Sequence, residues 1–241
     1  IAGGVAEADH IHQARVGLRR LRSALKHFSN WSQHINPAWE SELADIFRAL
    51  GQSRDHDAIQ DSVIPLIKEV CDFDFALSSS TDPEIATRLS SSQTTQLFLS
   101  LLSFIYSENE SKNKLSRQVS KSLTKLYHKI LKDASQFPEL SIEQQHRTRK
   151  RVKQLRYCID FTAGLYPEKQ VQHFLDKLQP IQEYLGFYND LFVAEQIFQQ
   201  QVSEKPEFLF ALGWIKAQQQ KKTKKANKKL QVLSHKDIFW A

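Results

Sequence analysis

Two runs of side chains carry enough charge of one sign to do chemistry. His12, Arg15, Arg19, Arg22 and Lys26, with Arg20 adjoining, recur at three- and four-residue spacing near the start of the chain. His146, Arg149, Lys153 and Arg156 repeat the arrangement beyond its middle. On a helix turning ~100° per residue the first set falls within an arc of roughly 80°. Ala14, Leu18, Leu21, Leu25 and Phe28 lie opposite, as do Val152, Leu155 and Ile159 in the second set. A mixed-sign face is the ordinary outer side of a surface helix. These rows are read as single-sign and unrelieved by acids one turn away, so each neighbouring pair repels by a few tenths of a kcal/mol, on the order of 0.2–0.5. Such a row points to a ligand that brings the counter-charge. Arginine forks match phosphate oxygens two at a time and lysine adds point charge, so the chemistry is multivalent phosphate capture. Rungs about 5.4 Å apart suit a linear polyanion better than a lone anion.

A third row, Lys114, Arg117, Lys121, Lys125, His128 and Lys132, stands opposite Val119, Leu123 and Ile130. Lys221, Lys225, Lys228 and Lys229 extend a lysine-rich segment that begins at Lys216, where a merely solvated helix explains the charge equally well. His12 and His146 head their rows, placed to donate to an anion or to orient the next arginine, which would make binding pH-sensitive. Asp55 and Asp190 each follow a Leu-Gly pair, Leu50-Gly51 and Leu185-Gly186. They read as helix caps or as partners of row arginines, in preference to metal ligands. Arg54-Asp55-His56-Asp57 also invites a metal-dependent phosphohydrolase reading, but the matching stretch Asn189-Asp190-Leu191-Phe192 lacks the His and the second Asp. With no phosphate-cradling glycine loop, Cys/His zinc spacing or nucleophile elbow, the pattern favours a binder over an enzyme, with no metal or other cofactor.

These rows need helices to carry them. The chain has 241 residues, a net charge of +6, and only 7 Gly and 7 Pro, with apolar residues at three- and four-residue intervals through most of it. That predicts an all-α protein of eight to ten helices. Breaks are expected at 30–36, 51–54, 108–110, 137–140, 164–167, 186–189 and 203–206. Asn36-Pro37 and Asp82-Pro83 read as helix starts, and Ser78–Thr95, rich in Ser and Thr, as a linker or a mobile surface segment between half-units of about 1–110 and 111–241. The best apolar run, Leu97–Tyr106, is too short and serine-interrupted to span a bilayer. Cys71 and Cys158 read as buried small hydrophobes of a reducing compartment, so the expected location is cytoplasmic. There is no methionine, position 1 included, which fits a sequence that begins inside a longer chain.

The strongest feature is internal repetition: His12-x-x-Arg15-x-x-x-Arg19-x-Leu21-Arg22 aligns with His146-x-x-Arg149-x-x-x-Lys153-x-Leu155-Arg156. With Leu50-Gly51-x-x-Arg54-Asp55-x-Asp57, Arg156-Tyr157, Leu185-Gly186-x-x-Asn189-Asp190 and a closing Phe239-Trp240, the sequence resembles the conserved-histidine α-helical domain family, CHAD, over nearly its whole length. The resemblance implies two pseudo-symmetric helical bundles around a basic groove or pore that binds inorganic polyphosphate, with some members at polyphosphate granules. It assigns the same His, Arg and Lys rows to the ligand, and Arg54, Asp55, Asp57, Asp190 and Tyr157 to structural or orienting roles. Some members are fused to a β-rich triphosphate hydrolase; no such segment occurs in this sequence. The alternative partner is single-stranded nucleic acid, against which the basic helices offer little aromatic interleaving apart from Tyr127 and Tyr157.

Overall fold

A computed structural model describes residues 8–29, 32, 34–71, 84–107, 115–203, 205–234 and 238–240; within them, the side chains of 8, 9, 51–55, 57, 84–86 and 234 fall outside the description. Among the described residues there are ten α-helices and no strand. They are α1 (Ala8–Phe28), α2 (Ala38–Ala49), α3 (Gly51–Ser62), α4 (Ile64–Lys68), α5 (Glu84–Leu89), α6 (Ser92–Tyr106), α7 (Leu115–Ser135), α8 (Ile142–Thr162), α9 (Glu168–Gln201) and α10 (Phe208–Gln231). Short 3-10 turns cover Phe137–Glu139, Ala163–Leu165 and Val232–Ser234. No described helix is long and apolar enough to cross a membrane. The chain divides into two compact units, Ile1–Asp57 with Ser78–Val119, and Ala58–Leu77 with Ser120–Ala241. Half-units drawn at 1–110 and 111–241 therefore differ from this division mainly by the segment 58–77.

In the first unit, α1 contributes Ile11, Leu18 and Leu25 to a core shared with Trp39, Leu43, Ile46 and Leu50 and with Leu97 and Leu101 of α6. Trp39 meets Phe104 edge-on at 5.5 Å. The expected start at Asn36-Pro37 is present: the Asn36 side chain accepts the Ala38 N–H at 2.9 Å. The start at Asp82-Pro83 lies outside the described residues, as does the expected break at 108–110. The linker expected over 78–95 is instead helical from Glu84 onward. Two of its polar residues serve the helix ends there: Ser91 Oγ accepts the Thr94 N–H at 3.2 Å, and the buried Thr94 hydroxyl donates to the Arg88 carbonyl.

In the second unit, Ile59, Val63, Ile64 and Ile67 from α3–α4 pack with Leu191, Ala194 and Phe198 of α9 and Phe208, Ala211 and Ile215 of α10. A capping box, Ser141 with Gln144, starts α8. Tyr127, Phe174, Phe239 and Trp240 form an edge-to-face cluster, and Tyr127 donates to the Leu233 carbonyl, tying the end of the chain to α7 and α9. Cys158 is buried and its thiol is pushed up to about 12 by that burial; Cys71 is only half-buried. Of the breaks expected at the two Leu-Gly pairs, the first is present but one residue early, and the second is corrected. Only Leu50 separates α2 from α3, which begins at Gly51, and α9 runs unbroken through Gly186. Asp55 and Asp190 therefore lie inside helices and do not cap them. The reason is the buried face of α9: Val171, Phe174, Leu178, Ile181, Leu185, Tyr188 and Leu191 continue at helical spacing across Pro180 and Gly186. Their burial, at about 1.5–3 kcal/mol for a large side chain, outweighs the ~1 and ~3 kcal/mol that glycine and proline cost in a helix interior.

The buried positions repeat. Counted from Leu50 and Leu185, Trp39, Leu43 and Ile46 stand where Phe174, Leu178 and Ile181 stand, and all are buried. Counted from His12 and His146, Leu18 and Leu25 of α1 match Val152 and Ile159 of α8.

The space that a methyl group would enter at Gly186 is open. Gly186→Ala is therefore expected to stabilise α9 by roughly 0.5–1 kcal/mol, raising the thermal midpoint by about 1–4 °C. A lower midpoint by circular dichroism would show that α9 needs glycine there.

Candidate functional site

The first row lies on α1, and α2 supplies its partners. Arg15 is only 8% exposed; its guanidinium sits 4.4 Å from the centre of the Phe47 ring, and its Nη1 donates to the Phe47 carbonyl at 3.3 Å. The guanidiniums of Arg19 and Arg22 lie 5.3 and 5.6 Å from the same ring. Arg22 also donates through Nε (3.2 Å) and Nη2 (2.7 Å) to one oxygen of Glu40. His12 is half-buried, while Arg20 and Lys26 are exposed. The row is thus grouped rather than evenly spread. A cation over an aromatic face gains about 0.5–2 kcal/mol depending on desolvation, enough to offset repulsion of a few tenths per pair. The Arg22–Glu40 pair is part-exposed and adds about 1 kcal/mol at most. The row's self-repulsion is thus offset in part within the protein, so repulsion alone does not call for a bound anion. Phe47 and Glu40 lie on a different helix from the motif, so sequence spacing along α1 offers no sign of them.

The second row lies on α8, with His146, Arg149, Lys153 and Arg156 all half-buried. It too is relieved: Asp160, one turn on, is 3.9 Å from Arg156 Nε. His146 Nδ1 is hydrogen-bonded to Asn189 Oδ1 of α9. Burial, followed by the charge of Lys150, holds the His146 pKa below its ordinary value; Arg149 and Lys153 push the same way and the Asn189 bond opposes them. A cleft of about 360 Å³ opens beside it, lined by His146, Arg149 and Asn189 together with Ile142, Leu185 and Phe192. Beneath it, buried Gln145 donates to the carbonyls of Phe137 and Leu140 and accepts from the Tyr188 hydroxyl at 2.8 Å, which also pairs with Thr223. These bonds hold the start of α8, and so His146, against α9 and α10. On the side away from the row, Asp133 of α7 pairs with Arg151 and accepts from the Thr148 hydroxyl. Tyr157 stacks on Phe161 at 6.5 Å, and Asp190 is half-buried within α9.

The α7 row forms as spaced: Arg117, Lys121, Lys125, His128 and Lys132 are exposed, and Val119, Leu123 and Ile130 are buried; Lys114 lies outside the described residues. The lysine-rich end is a packed helix, not a frayed tail, since Ile215, Gln219, Ala226 and Leu230 of α10 are buried. Lys221, Lys225 and Lys228 are exposed. The ammonium groups of Lys222, Lys225 and Lys229 lie 5.7, 5.8 and 5.6 Å from the Tyr184 ring, and Lys222 lies 4.4 Å from Phe187. Burial, then the charges of Lys225 and Lys221, lowers the pKa of Lys222. Tyr184 and Phe187 carry no signal in the sequence beyond their place on α9. The side chains of Arg54, Asp55 and Asp57 lie outside the described residues, and among the described ones no three His, Cys, Asp or Glu groups converge.

A family model, the CHAD domain, matches residues 2–199. A crystal structure of the CHAD domain from the plant Ricinus communis is similar to this chain at 27% identity and a TM-score of 0.73, covering 93% of this chain and 82% of that one. Among curated proteins none matches.

His27, like His146, is held below its ordinary pKa by burial. The unfolded chain therefore takes up protons near pH 6.5 that the folded chain takes up only at lower pH. Without ligand, stability should be full above about pH 7 and fall as the pH drops through 6.5 toward the folded pKa values. Thermal melts between about pH 7.5 and 5.5 should move downward, and His146→Gln should reduce that slope. A midpoint that rises over this range would contradict the assignment.

Proposed function

The chain belongs to the CHAD domain family, and from that premise we propose that it binds inorganic polyphosphate, or a closely similar linear polyanion, without turning it over. The observation that carries this reading is the duplicated row: His12, Arg15, Arg19 and Arg22 on α1, and His146, Arg149, Lys153 and Arg156 on α8, each set against a helix face buried at corresponding positions. The correspondence supports a tandem repeat of one helical design, each unit offering a basic face of its own to polyphosphate. The exposed α7 row and Lys221, Lys225 and Lys228 enlarge the cationic surface, whereas buried Arg15 acts through its field and its packing on Phe47. A cytoplasmic location, at polyphosphate granules, accompanies this reading.

Single-stranded nucleic acid is the second reading. It is favoured by Tyr184 and Phe187, which put aromatic rings beside the α10 lysines. Base stacking needs an open ring face, and at Tyr184 three ammonium groups already crowd the ring. The hydrolase reading rests on His56 and Asp57; incubation of polyphosphate with magnesium, manganese or iron should release no phosphate.

Polyphosphate of medium length should bind with an affinity that falls steeply with salt, by about 0.7–0.9 log units per log unit of salt for each contact, if the rule for nucleic acids extends to this polymer. Arg19→Glu combined with Lys153→Glu should cut affinity at least ~100-fold and flatten that slope by about 1.4–1.8, with helicity unchanged. Retained affinity at moderate salt would sink the proposal. Competition with single-stranded DNA of equal charge decides between the two ligands.

Glu40 competes with any anion for Arg22. Glu40→Gln should therefore tighten polyphosphate binding by about two- to fivefold, the scale of a part-exposed ion pair, while leaving the protein no more stable; weaker binding would show that Glu40 helps to present Arg22 instead.

A further inference from the structure

Phe47 carries no charge and lies outside the motif helix, yet three guanidiniums gather on its ring, all within 5.6 Å of its centre. The ring stands on a rigid support: Leu43, Ile46 and Leu50 on either side of it in sequence are buried in the core of the first unit. Its own carbonyl accepts from Arg15, and Glu40, two turns earlier on α2, restrains Arg22. Arginine side chains are long, and like charges on one helix otherwise spread apart. The ring face, negative at its centre, draws the three toward one point and removes much of the freedom that a ligand would have to freeze. Arg19 and Arg22 are the members an anion can reach, the buried Arg15 adds its field behind them and Glu40 offsets part of the charge of Arg22; positive charge concentrated this way matches an anion that can place several charges in one small volume. In a condensed phosphate consecutive phosphoryl groups share a bridging oxygen. In a nucleic acid strand a sugar separates them.

We propose that Phe47 is a positioning residue that sets specificity, gathering Arg15, Arg19 and Arg22 into a cluster that selects condensed phosphate over single-stranded nucleic acid. This rests on the anion-binding reading above.

The test measures Kd for medium-length polyphosphate and for single-stranded DNA of equal charge, with thermal midpoints, for the full chain and three variants at position 47. Phe47→Leu should weaken polyphosphate binding about tenfold and DNA binding less than about twofold, the loss coming from preorganisation rather than from charge. Phe47→Tyr should stay within about twofold of the parent, because a phenol ring keeps the same face. Pentafluorophenylalanine at position 47 keeps the ring's shape and reverses its quadrupole, so it should reproduce the leucine result even if Phe47→Leu itself fails to fold. Equal losses on both ligands, or unchanged polyphosphate binding in the fluorinated protein, would overturn the assignment. A parent chain that fails to bind polyphosphate would instead overturn the reading on which it rests.

Discussion

Crowded positive charge is the constraint around which this chain is arranged. Cations at three- and four-residue spacing destabilise the helix that carries them unless something holds them, and for α1, α8 and α10 the molecule supplies that support from a neighbouring helix or from one turn along the same helix. Phe47 and Glu40 of α2 do so for α1. Asp160 does so within α8, and Asn189 fixes the histidine at its head. Tyr184 and Phe187 of α9 do so for α10. In each case the partner is polarisable, neutral or a single acid, so local repulsion is offset without cancelling the positive field that an anion would meet.

Support of this kind works only if the supporting helices do not move, and that explains where the core is spent. Helix α2 buries Trp39, Leu43 and Ile46, with Leu50 buried just past its end, and this anchors the helix that carries Phe47. Helix α9 buries a longer face, and on it Leu185, Tyr188 and Leu191 flank Asn189. The hydrogen-bonded set of Gln145, Tyr188 and Thr223 joins α8, α9 and α10 directly beneath His146. A buried polar set of this type is costly when incomplete and directional when satisfied, so it fixes the register of three helices where apolar contacts alone would tolerate sliding.

Much of this was legible in the residues, and what was not has a common cause. The rows on α1, α7 and α8 follow from helical periodicity, because 3.6-residue spacing places His12, Arg19 and Arg22 on one face whatever surrounds them. The capping box at Ser141 and the start at Asn36 are local in the same way. Gly186 suggests a break that is absent because a glycine's local cost is visible in sequence, whereas the buried face that outweighs it is only visible once α9 has something to pack against. Ser91 and Thr94 look like linker residues in sequence because the same residue types serve caps and loops alike. Phe47, Glu40, Tyr184 and Phe187 left no trace because each acts across a helix–helix contact, and spacing along one helix says nothing about its neighbour.

The two aromatic supports differ in what they hold, and the difference bears on recognition. On Phe47 the cations are guanidiniums, planar groups, and those of part-exposed Arg19 and Arg22 can lie against the ring with outer N–H edges left to meet an oxygen. On Tyr184 they are ammonium groups, compact and strongly hydrated, and the one nearest an aromatic ring, Lys222 at 4.4 Å from Phe187, is partly desolvated with its pKa lowered. A guanidinium held this way offers directed pairs of donors and therefore discriminates between anions by geometry. An ammonium cluster offers field with little direction, and draws any anion in proportion to its charge. On the proposed anion-binding reading, helix α1 is thus the part equipped to choose a ligand, and α10 the part equipped to attract one.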